Sequence, residues 1–213
     1  MNITAKEFIE YFKRVAEVME EEKDYLCELD RKIGDGDHGV TMSIGWQAIL
    51  KQLNNELAEE SDCGKISSTI GMTFLNAVGS SVGPLYATGL LRGAKVINQK
   101  TVLEGNDLIE FWIAFGNGVK ERGQAEVGDK TMIDTLVPFV ETLETSKADE
   151  DFLKAFRQAV VAGEEGMKST INLTSKRGRS SRLGERSKGA QDPGATSAYM
   201  ILNTFLEFVE ANA

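Results

Sequence analysis

Three aspartates, three glycines and the only histidine of the chain lie within residues 30–39, which read DRKIGDGDHG. The carboxylates of Asp30, Asp35 and Asp37 repel one another, in a chain whose formal net charge is already −9, and a bound cation would offset that repulsion. Glycines between the carboxylates let the backbone turn sharply enough to bring the side chains to one point. The spacing therefore predicts a metal site, and a capped, solvated turn is the alternative.

The types of the ligands narrow the choice of cation. Carboxylates suit the hard cations Mg²⁺, Mn²⁺ and Ca²⁺. An EF-hand loop that began at Asp35 would need its bidentate glutamate where the chain has Trp46. Zinc would require more imidazole or sulfur ligands than one histidine without a neighbouring cysteine provides. Magnesium commonly binds through a few carboxylates, water and substrate phosphate oxygens, and it fits this loop best.

Two further segments are suited to phosphate. Residues 78–85, VGSSVGPL, precede a predicted helix and could offer backbone amides to an anion, with a plain turn between helices as the alternative. Residues 171–191, the basic segment, carry six lysines and arginines. Such a run is commonly a solvated face, but beside the other two segments it indicates contact with a metal-bound polyanion. Residues 123–131, GQAEVGDKT, miss the P-loop pattern because of the extra Asp129 and the lack of a preceding strand.

Apolar residues recur at three- and four-residue intervals along most of the chain, which predicts helices. Helix starts are marked by capping residues and a first-turn proline: Thr4 with Glu7, Asp107, and Asp192 with Pro193. Further helices are expected after the aspartate loop (residues 30–39), over 66–78, after Pro84, after Lys130 and over 152–167. Pro138 lies inside one of them, where a proline removes a hydrogen bond and kinks the helix. No strand pattern is convincing, so the prediction is an all-α single domain over residues 1–213 with about eight helices.

Composition limits the classes of partner. A sequence pI near 4.8 argues against general binding to nucleic acid or anionic membranes, which require a basic surface. No run approaches the ~18 apolar residues of a membrane span, and the charged N-terminus does not read as a signal peptide. Cys27 and Cys63 are too few for a disulfide framework and lack metal-binding spacing. The cytoplasm is the expected compartment.

Four motifs together carry a family resemblance: YLCELDRKIGDGDHG, GMTFLNAVGSSVGPLYATGL, GDKTMIDTLVP and GRSSRLGERSKGAQDPGATS. In this order and spacing they resemble the nucleotide-binding subunit of phosphotransferase-system-dependent dihydroxyacetone kinases, over about residues 4–210. The same domain forms the C-terminal half of single-chain, ATP-dependent dihydroxyacetone kinases. The resemblance implies a barrel of eight antiparallel amphipathic helices, with the nucleotide site in the loops at one rim.

The resemblance also implies a set of site residues. Asp30, Asp35 and Asp37 would hold two Mg²⁺ ions that clamp the phosphates of ADP or ATP. The residues expected to line the nucleotide are His38, Gly39, Val40, Thr41, Ser81, Val82, Gly123, Met132, Arg179, Asp192, Pro193 and Gly194. No catalytic residue is assigned with certainty, since His38 and Arg179 are expected as phosphate contacts. A phosphohistidine relay is the alternative role for His38, and core packing is the alternative for Met132.

The activity that the resemblance implies is a relay between subunits. Bound ADP is rephosphorylated by a phosphohistidine carrier subunit of the phosphotransferase system, and the γ-phosphoryl group passes to dihydroxyacetone on a partner kinase subunit. Two alternatives are a subunit of a related ketose kinase that uses free ATP, and a nucleotide-dependent coregulator of a transcription regulator. The sequence does not determine the oligomeric state, and a homodimer is one alternative. Val82, Arg182 and Ala190 depart from the family pattern, which leaves partner specificity open.

Overall fold

The computed structural model describes residues 1–146 and 151–212, and most of them are helical. Its α-helices are α1 (Ala5–Glu21), α2 (Lys23–Ile33), α3 (His38–Asn54), α4 (Cys63–Ala77), α5 (Val82–Val96), α6 (Gly105–Gly123), α7 (Ile133–Ser146), α8 (Phe152–Ser169) and α9 (Pro193–Ala211). Two 3₁₀ segments, Thr170–Asn172 and Arg179–Ser187, lie in the basic segment and at its edge. The all-α prediction is confirmed. Within the described ranges, no helix has the length and apolarity that crossing a membrane requires.

The helices contact one another in a closed order. From α3 to α9 each helix packs against the next one in the chain, α1 packs against α3, and α9 returns to pack against α1. These contacts link eight helices in a cycle, and the barrel that the resemblance implies stays a prediction. The remaining helix, α2, packs against α3, α9 and the second 3₁₀ segment. It therefore lies where the aspartate loop and the basic segment meet.

Helix α2 was not among the expected helices, and with it the described residues contain nine α-helices where about eight were predicted. Its eleven residues, KDYLCELDRKI, are strongly polar, and its buried positions are few: Leu26, Cys27, Leu29 and Ile33. Leu26, Leu29 and Ile33 nevertheless lie at the helical spacing i, i+3, i+7, which the sequence prediction overlooked. The helix places Asp30 in its last turn.

The predicted N-terminal caps of α1 and α6 can be compared with the structure. The capping box of α1 is confirmed, since the Glu7 amide donates to Thr4 Oγ1 at 3.3 Å and the Thr4 amide donates to Glu7 Oε2 at 2.8 Å. Helix α6, in contrast, is capped by Glu104, and Asp107 accepts from the Glu104 amide at 3.1 Å. The prediction that Asp107 caps this helix was therefore wrong by three positions. Glu104 is the N-cap, and Asp107 is the partner residue of the capping box.

A short strand pair and an internal proline complete the fold. β1 (Asn2–Thr4) pairs antiparallel with β2 (Val102–Glu104), and each strand is too short to produce an alternating pattern in the sequence. Pro138 lies inside α7 as predicted. The core is rich in aromatic rings: Trp112 contacts Tyr11, Phe111, Phe115, Phe139, Phe156 and Phe205. This packing gives the loops a rigid base.

Candidate functional site

The three predicted aspartates converge in the loop between α2 and α3. Asp30, Asp35 and Asp37 each offer a carboxylate oxygen, and these oxygens all lie within 4.8 Å of one another. Asp30 Oδ2 also accepts from the backbone amides of Asp37 at 2.9 Å and His38 at 3.2 Å, so this carboxylate satisfies the start of α3. Asp35 and Asp37 are exposed. An all-carboxylate set that remains open to solvent fits magnesium, which keeps water and substrate oxygens as further ligands.

Glycines make this loop possible at two positions. A Cβ atom at Gly34 would overlap the Asp30 carboxylate, and Gly36 has a φ of +80°, a conformation that favours glycine. Gly39 has a different role. A Cβ atom there would overlap the backbone carbonyl of Lys23 in α2, so Gly39 allows α2 and α3 to approach closely.

Arg179 brings the basic segment to the aspartates. Its guanidinium forms an ion pair with Asp35, and its Nη1 lies 3.5 Å from Asp37 Oδ2. Gly178, with a φ of +65°, turns the chain immediately before it. Other basic side chains of this segment form ion pairs away from the three aspartates. Arg177 pairs with Asp129 at 3.3 Å, and Lys188 pairs with Glu185 at 2.6 Å.

The start of α5 contributes hydroxyl and amide groups. Ser81 is the N-cap of α5 but makes no side-chain capping bond, and Val82 is the first helical residue. The Ser80 hydroxyl oxygen is buried and has no hydrogen-bond partner in the described part of the chain. A buried hydroxyl without a partner is unusual in a folded protein, and other atoms of Ser80 line the same cleft as the aspartates. Ser80 was not predicted as a site residue, although its place in GSSVG was the available signal.

Lys130 is a second residue that the sequence interpretation missed. Its side chain is buried, and Nζ donates to the backbone carbonyls of Thr170 at 2.6 Å and Ala190 at 2.5 Å. Burial lowers the pKa of this ammonium below its usual value, while the charges of Asp192 and Asp134 act in the opposite direction. Lys130 thus ties the turn before α7 to both ends of the basic segment. The motif GDKT was the only signal for it.

The N-terminus of α9 forms another wall of the site. Asp192 is its N-cap, and Asp192 Oδ2 accepts from the Ala195 amide at 2.8 Å. Burial raises the pKa of the Asp192 carboxyl to about 7, and the nearby charge of Asp134 acts in the same direction. Pro193 follows at the first helical position, as predicted.

His38 is buried at the start of α3. Its Nε2 lies 3.0 Å from Ser197 Oγ in α9. Burial lowers the pKa of the imidazole to about 4, although the charge of Asp30 works against this shift. The ring is therefore neutral at physiological pH.

These groups line one cleft with a volume of about 350 Å³. The predicted residues that line it are Asp30, Asp35, Asp37, His38, Thr41, Ser81, Val82, Gly123, Met132, Arg179, Asp192, Pro193 and Gly194. Gly39 and Val40 are not part of the lining. Gly39 faces α2, as described above, and Val40 is 41% exposed. The ligand contacts of all these residues remain predictions.

Comparison with known proteins places the chain in a family. A family model described as the DAK2 domain matches residues 32–207. The chain belongs to the DAK2 domain family. The resemblance identified from the motifs is thereby confirmed.

Relatives within this family are similar over nearly the whole chain. A Listeria innocua protein named "PEP-dependent dihydroxyacetone kinase 2, ADP-binding subunit DhaL" is 40% identical over 190 residues, which cover 89% of this chain and 88% of that protein. An Escherichia coli protein named as the ADP-binding subunit of the PEP-dependent dihydroxyacetone kinase is 36% identical over 203 residues, covering 95% and 96% of the two chains.

The DAK2 fold is also found in a larger crystallised protein. The dihydroxyacetone kinase of C. freundii superimposes on this chain with a TM-score of 0.72 at 24% sequence identity. A second crystal structure of that enzyme, in complex with AMP-PNP and Mg²⁺, superimposes with a TM-score of 0.71 at 23% identity. The superposition covers 94% of this chain but only 34% of the crystallised one, so it shows that the fold is shared.

Proposed function

We propose that this chain is the ADP-binding subunit of a PEP-dependent dihydroxyacetone kinase. In this proposal it holds ADP and magnesium in the cleft, receives a phosphoryl group from a phosphohistidine carrier subunit, and passes it to dihydroxyacetone on a partner kinase subunit. The names and coverage of its relatives support the assignment. One observation within the chain carries it. The carboxylates of the aspartate loop, the Arg179 guanidinium and the start of α5 line the same cleft.

Asp30, Asp35 and Asp37 are the residues that would hold magnesium, and the family resemblance implies two ions. When bound, magnesium neutralises phosphate charge and orients the transferred group. The protein supplies the remaining positive charge through Arg179, whose planar guanidinium can donate two hydrogen bonds to one phosphate. The Ser80 hydroxyl has no partner in the described ranges, but its oxygen is buried, so it would reach a phosphate only after a local rearrangement. Backbone amides at the start of α5 are suited to the same anion.

Part of the cleft lining is apolar. Its apolar residues include Val82, Leu85, Val119, Met132 and Ile133, which suits the flat, largely apolar face of an adenine ring. Met132 is 5% exposed and also belongs to the core, so its two predicted roles are compatible. Phosphoryl transfer depends mainly on alignment and charge neutralisation, and it requires no nucleophile from this chain.

The decisive experiment follows the nucleotide. Protein purified without chelator is analysed for ADP and magnesium, and then incubated with the phosphohistidine carrier and its phosphoryl donors. We expect bound ADP that becomes ATP in place, followed by formation of dihydroxyacetone phosphate when the partner kinase subunit and dihydroxyacetone are added.

The same experiment separates the alternatives. Free exchange of nucleotide and turnover driven by ATP alone would contradict the carrier-dependent role and favour the related ketose kinase. Binding of a transcription regulator that depends on ADP or ATP occupancy would support the coregulator role. Protein that retains and binds no nucleotide would contradict all three.

A further inference from the structure

Three buried side chains form a line of hydrogen bonds behind the cleft. His38 lies in α3, Tyr86 in α5 and Ser197 in α9. Ser197 Oγ is 3.0 Å from His38 Nε2 and 2.9 Å from the Tyr86 phenolic oxygen. Ser197 is fully buried, and Tyr86 and His38 are 1% and 7% exposed. Water therefore does not compete for these bonds.

Tyr86 determines which groups donate and which accept in these hydrogen bonds. A buried phenolic proton needs an acceptor, and Ser197 Oγ is its partner in the described part of the chain. Tyr86 is thus the donor and Ser197 the acceptor. Tyr86 is itself fixed by packing, since its ring contacts Phe74 edge-on and Phe115 by stacking.

Ser197 has one proton to donate and two acceptors within reach. One is His38 Nε2 at 3.0 Å, and the other is the Gly194 carbonyl at 3.1 Å. The Gly194 carbonyl lies in the first turn of α9 and has the helix backbone as its ordinary partner. Donation to His38 Nε2 therefore satisfies both groups. In the neutral ring this leaves the proton on Nδ1.

The cleft favours that tautomer. His38 lines the cleft, and its Nδ1 has no hydrogen-bond partner among the described residues. A phosphate group offers only acceptors, so an N–H suits it and a bare ring nitrogen would not.

We propose that Ser197 and Tyr86 are positioning residues that hold His38 as the Nδ1–H tautomer, so that the ring donates a hydrogen bond to a phosphate oxygen of the bound nucleotide. The inference rests on the proposed function for the identity of the ligand. The tautomer itself can be measured without any ligand. Neither Ser197 nor Tyr86 was singled out from the sequence, because the three residues are far apart in the chain.

Nitrogen-15 NMR provides the direct test, because the chain has a single histidine and its two ring nitrogens can be assigned without ambiguity. We expect the folded, nucleotide-free protein near neutral pH to show a protonated Nδ1 and an unprotonated Nε2. In Ser197→Ala we expect this preference to be lost. A protonated Nε2 in the wild-type protein, alone or together with Nδ1, would overturn the proposal.

Binding measurements test the consequence for the nucleotide. Ser197→Ala and Tyr86→Phe should each weaken ADP binding in the presence of Mg²⁺ by about tenfold, because the hydrogen bond that is weakened has a charged phosphate acceptor. Matched controls are Ser67→Ala and Tyr11→Phe, since their buried hydroxyls donate to the carbonyls of Leu90 and Ile201 instead. The controls should retain wild-type affinity.

Combining Ser197→Ala with His38→Ala shows whether Ser197 acts through His38 or supports the structure in general. In His38→Ala protein, adding Ser197→Ala should cause no further loss of ADP affinity. An equal loss with and without His38 would overturn the proposal. Failure of the wild-type protein to bind ADP would contradict the proposed function instead, and the tautomer measured by NMR would still stand.

Discussion

Arg179 and Asp35 form an ion pair that joins the basic segment to the aspartate loop. The same guanidinium lies 3.5 Å from Asp37 Oδ2, although 142 positions separate the two residues. The protein thus places its own cation among the carboxylates that would bind magnesium. This arrangement offsets part of the repulsion within the loop, and it also makes Arg179 a competitor of the metal for Asp35.

Replacing Arg179 should therefore affect metal and nucleotide in opposite directions. In Arg179→Gln we expect Mg²⁺ alone to bind more tightly, because the carboxylates lose a competing positive charge. ADP in saturating Mg²⁺ should bind at least about tenfold more weakly, since a charge-assisted hydrogen bond is lost. Calorimetric titrations of both ligands check this. The control is Arg157→Gln, which removes a surface ion pair with Glu210 outside the cleft. A parallel change in both affinities would contradict the assigned role.

Replacing a loop aspartate should remove ligand binding without unfolding the protein. In Asp37→Asn we expect a loss of at least about tenfold in ADP affinity with Mg²⁺, since a metal ligand is lost. In chelator, the free energy of unfolding should change by less than about 0.5 kcal/mol, with a small gain, because one repelling charge is removed. Urea unfolding and calorimetry provide the two measurements. The control is Glu28→Gln, an acidic surface position in α2 that pairs with Lys32.

Asp192 should give the stability a characteristic dependence on pH. Because burial raises the pKa of its carboxyl from 3.8 to about 7, the folded protein keeps a proton that the unfolded chain releases, and its stability falls as pH rises from about 4 to 7. Asp192→Asn keeps an acceptor for the Ala195 amide but carries no charge. The difference in unfolding free energy, Asp192→Asn minus wild type, should therefore increase by a few kcal/mol as pH rises through this window. Each unit by which folding shifts the pKa corresponds to about 1.4 kcal/mol.

Thermal or urea unfolding at several pH values between about 4 and 8 measures this difference. Taking the difference between variant and wild type cancels the titration of the other groups. Asp62→Asn, which changes the N-cap of α4 at a half-buried position, is the matched control for loss of a capping carboxylate. A difference that stays constant with pH in Asp192→Asn would contradict the assignment.

Lys130 should be needed for stability as well as for the shape of the cleft. Lys130→Met leaves the Ala190 carbonyl without its side-chain donor, while the Thr170 carbonyl keeps its bond from the Leu173 amide. A buried group that loses its partner costs about 1–3 kcal/mol, so urea unfolding should show a loss in this range. The control is Lys51→Met, because Lys51 is exposed in α3. A loss no larger than that of the control would show that Lys130 does not anchor the basic segment.

The sequence predicted the features that depend on local pattern. The aspartate loop was identifiable because carboxylates seldom cluster without a reason, and α1 was identifiable from its capping box and apolar period. Helix α2 was missed because it is short and mostly charged, although Leu26, Leu29 and Ile33 lie at helical spacing. The cap of α6 was misplaced because Glu104 and Asp107 both satisfy the chemistry of a cap.

Features that depend on distant contacts could not be predicted. Lys130 is recognised only by the two carbonyls it reaches, which lie 40 and 60 positions away. The bond between Tyr86 and Ser197 spans 111 positions. The partnerless hydroxyl of Ser80 is visible only once the burial of each atom is known. Such relationships arise from the packing of helices, and no local pattern encodes them.

In the proposed function the cleft binds ADP through magnesium held by the aspartate loop. This binding mode is measured by titrating ADP into nucleotide-free protein, first with Mg²⁺ and then with excess chelator. We expect binding that depends on Mg²⁺ and is lost in Asp35→Asn and in Asp37→Asn, while Glu28→Gln binds like wild type. ADP binding of equal strength in chelator, or in both aspartate variants, would contradict it.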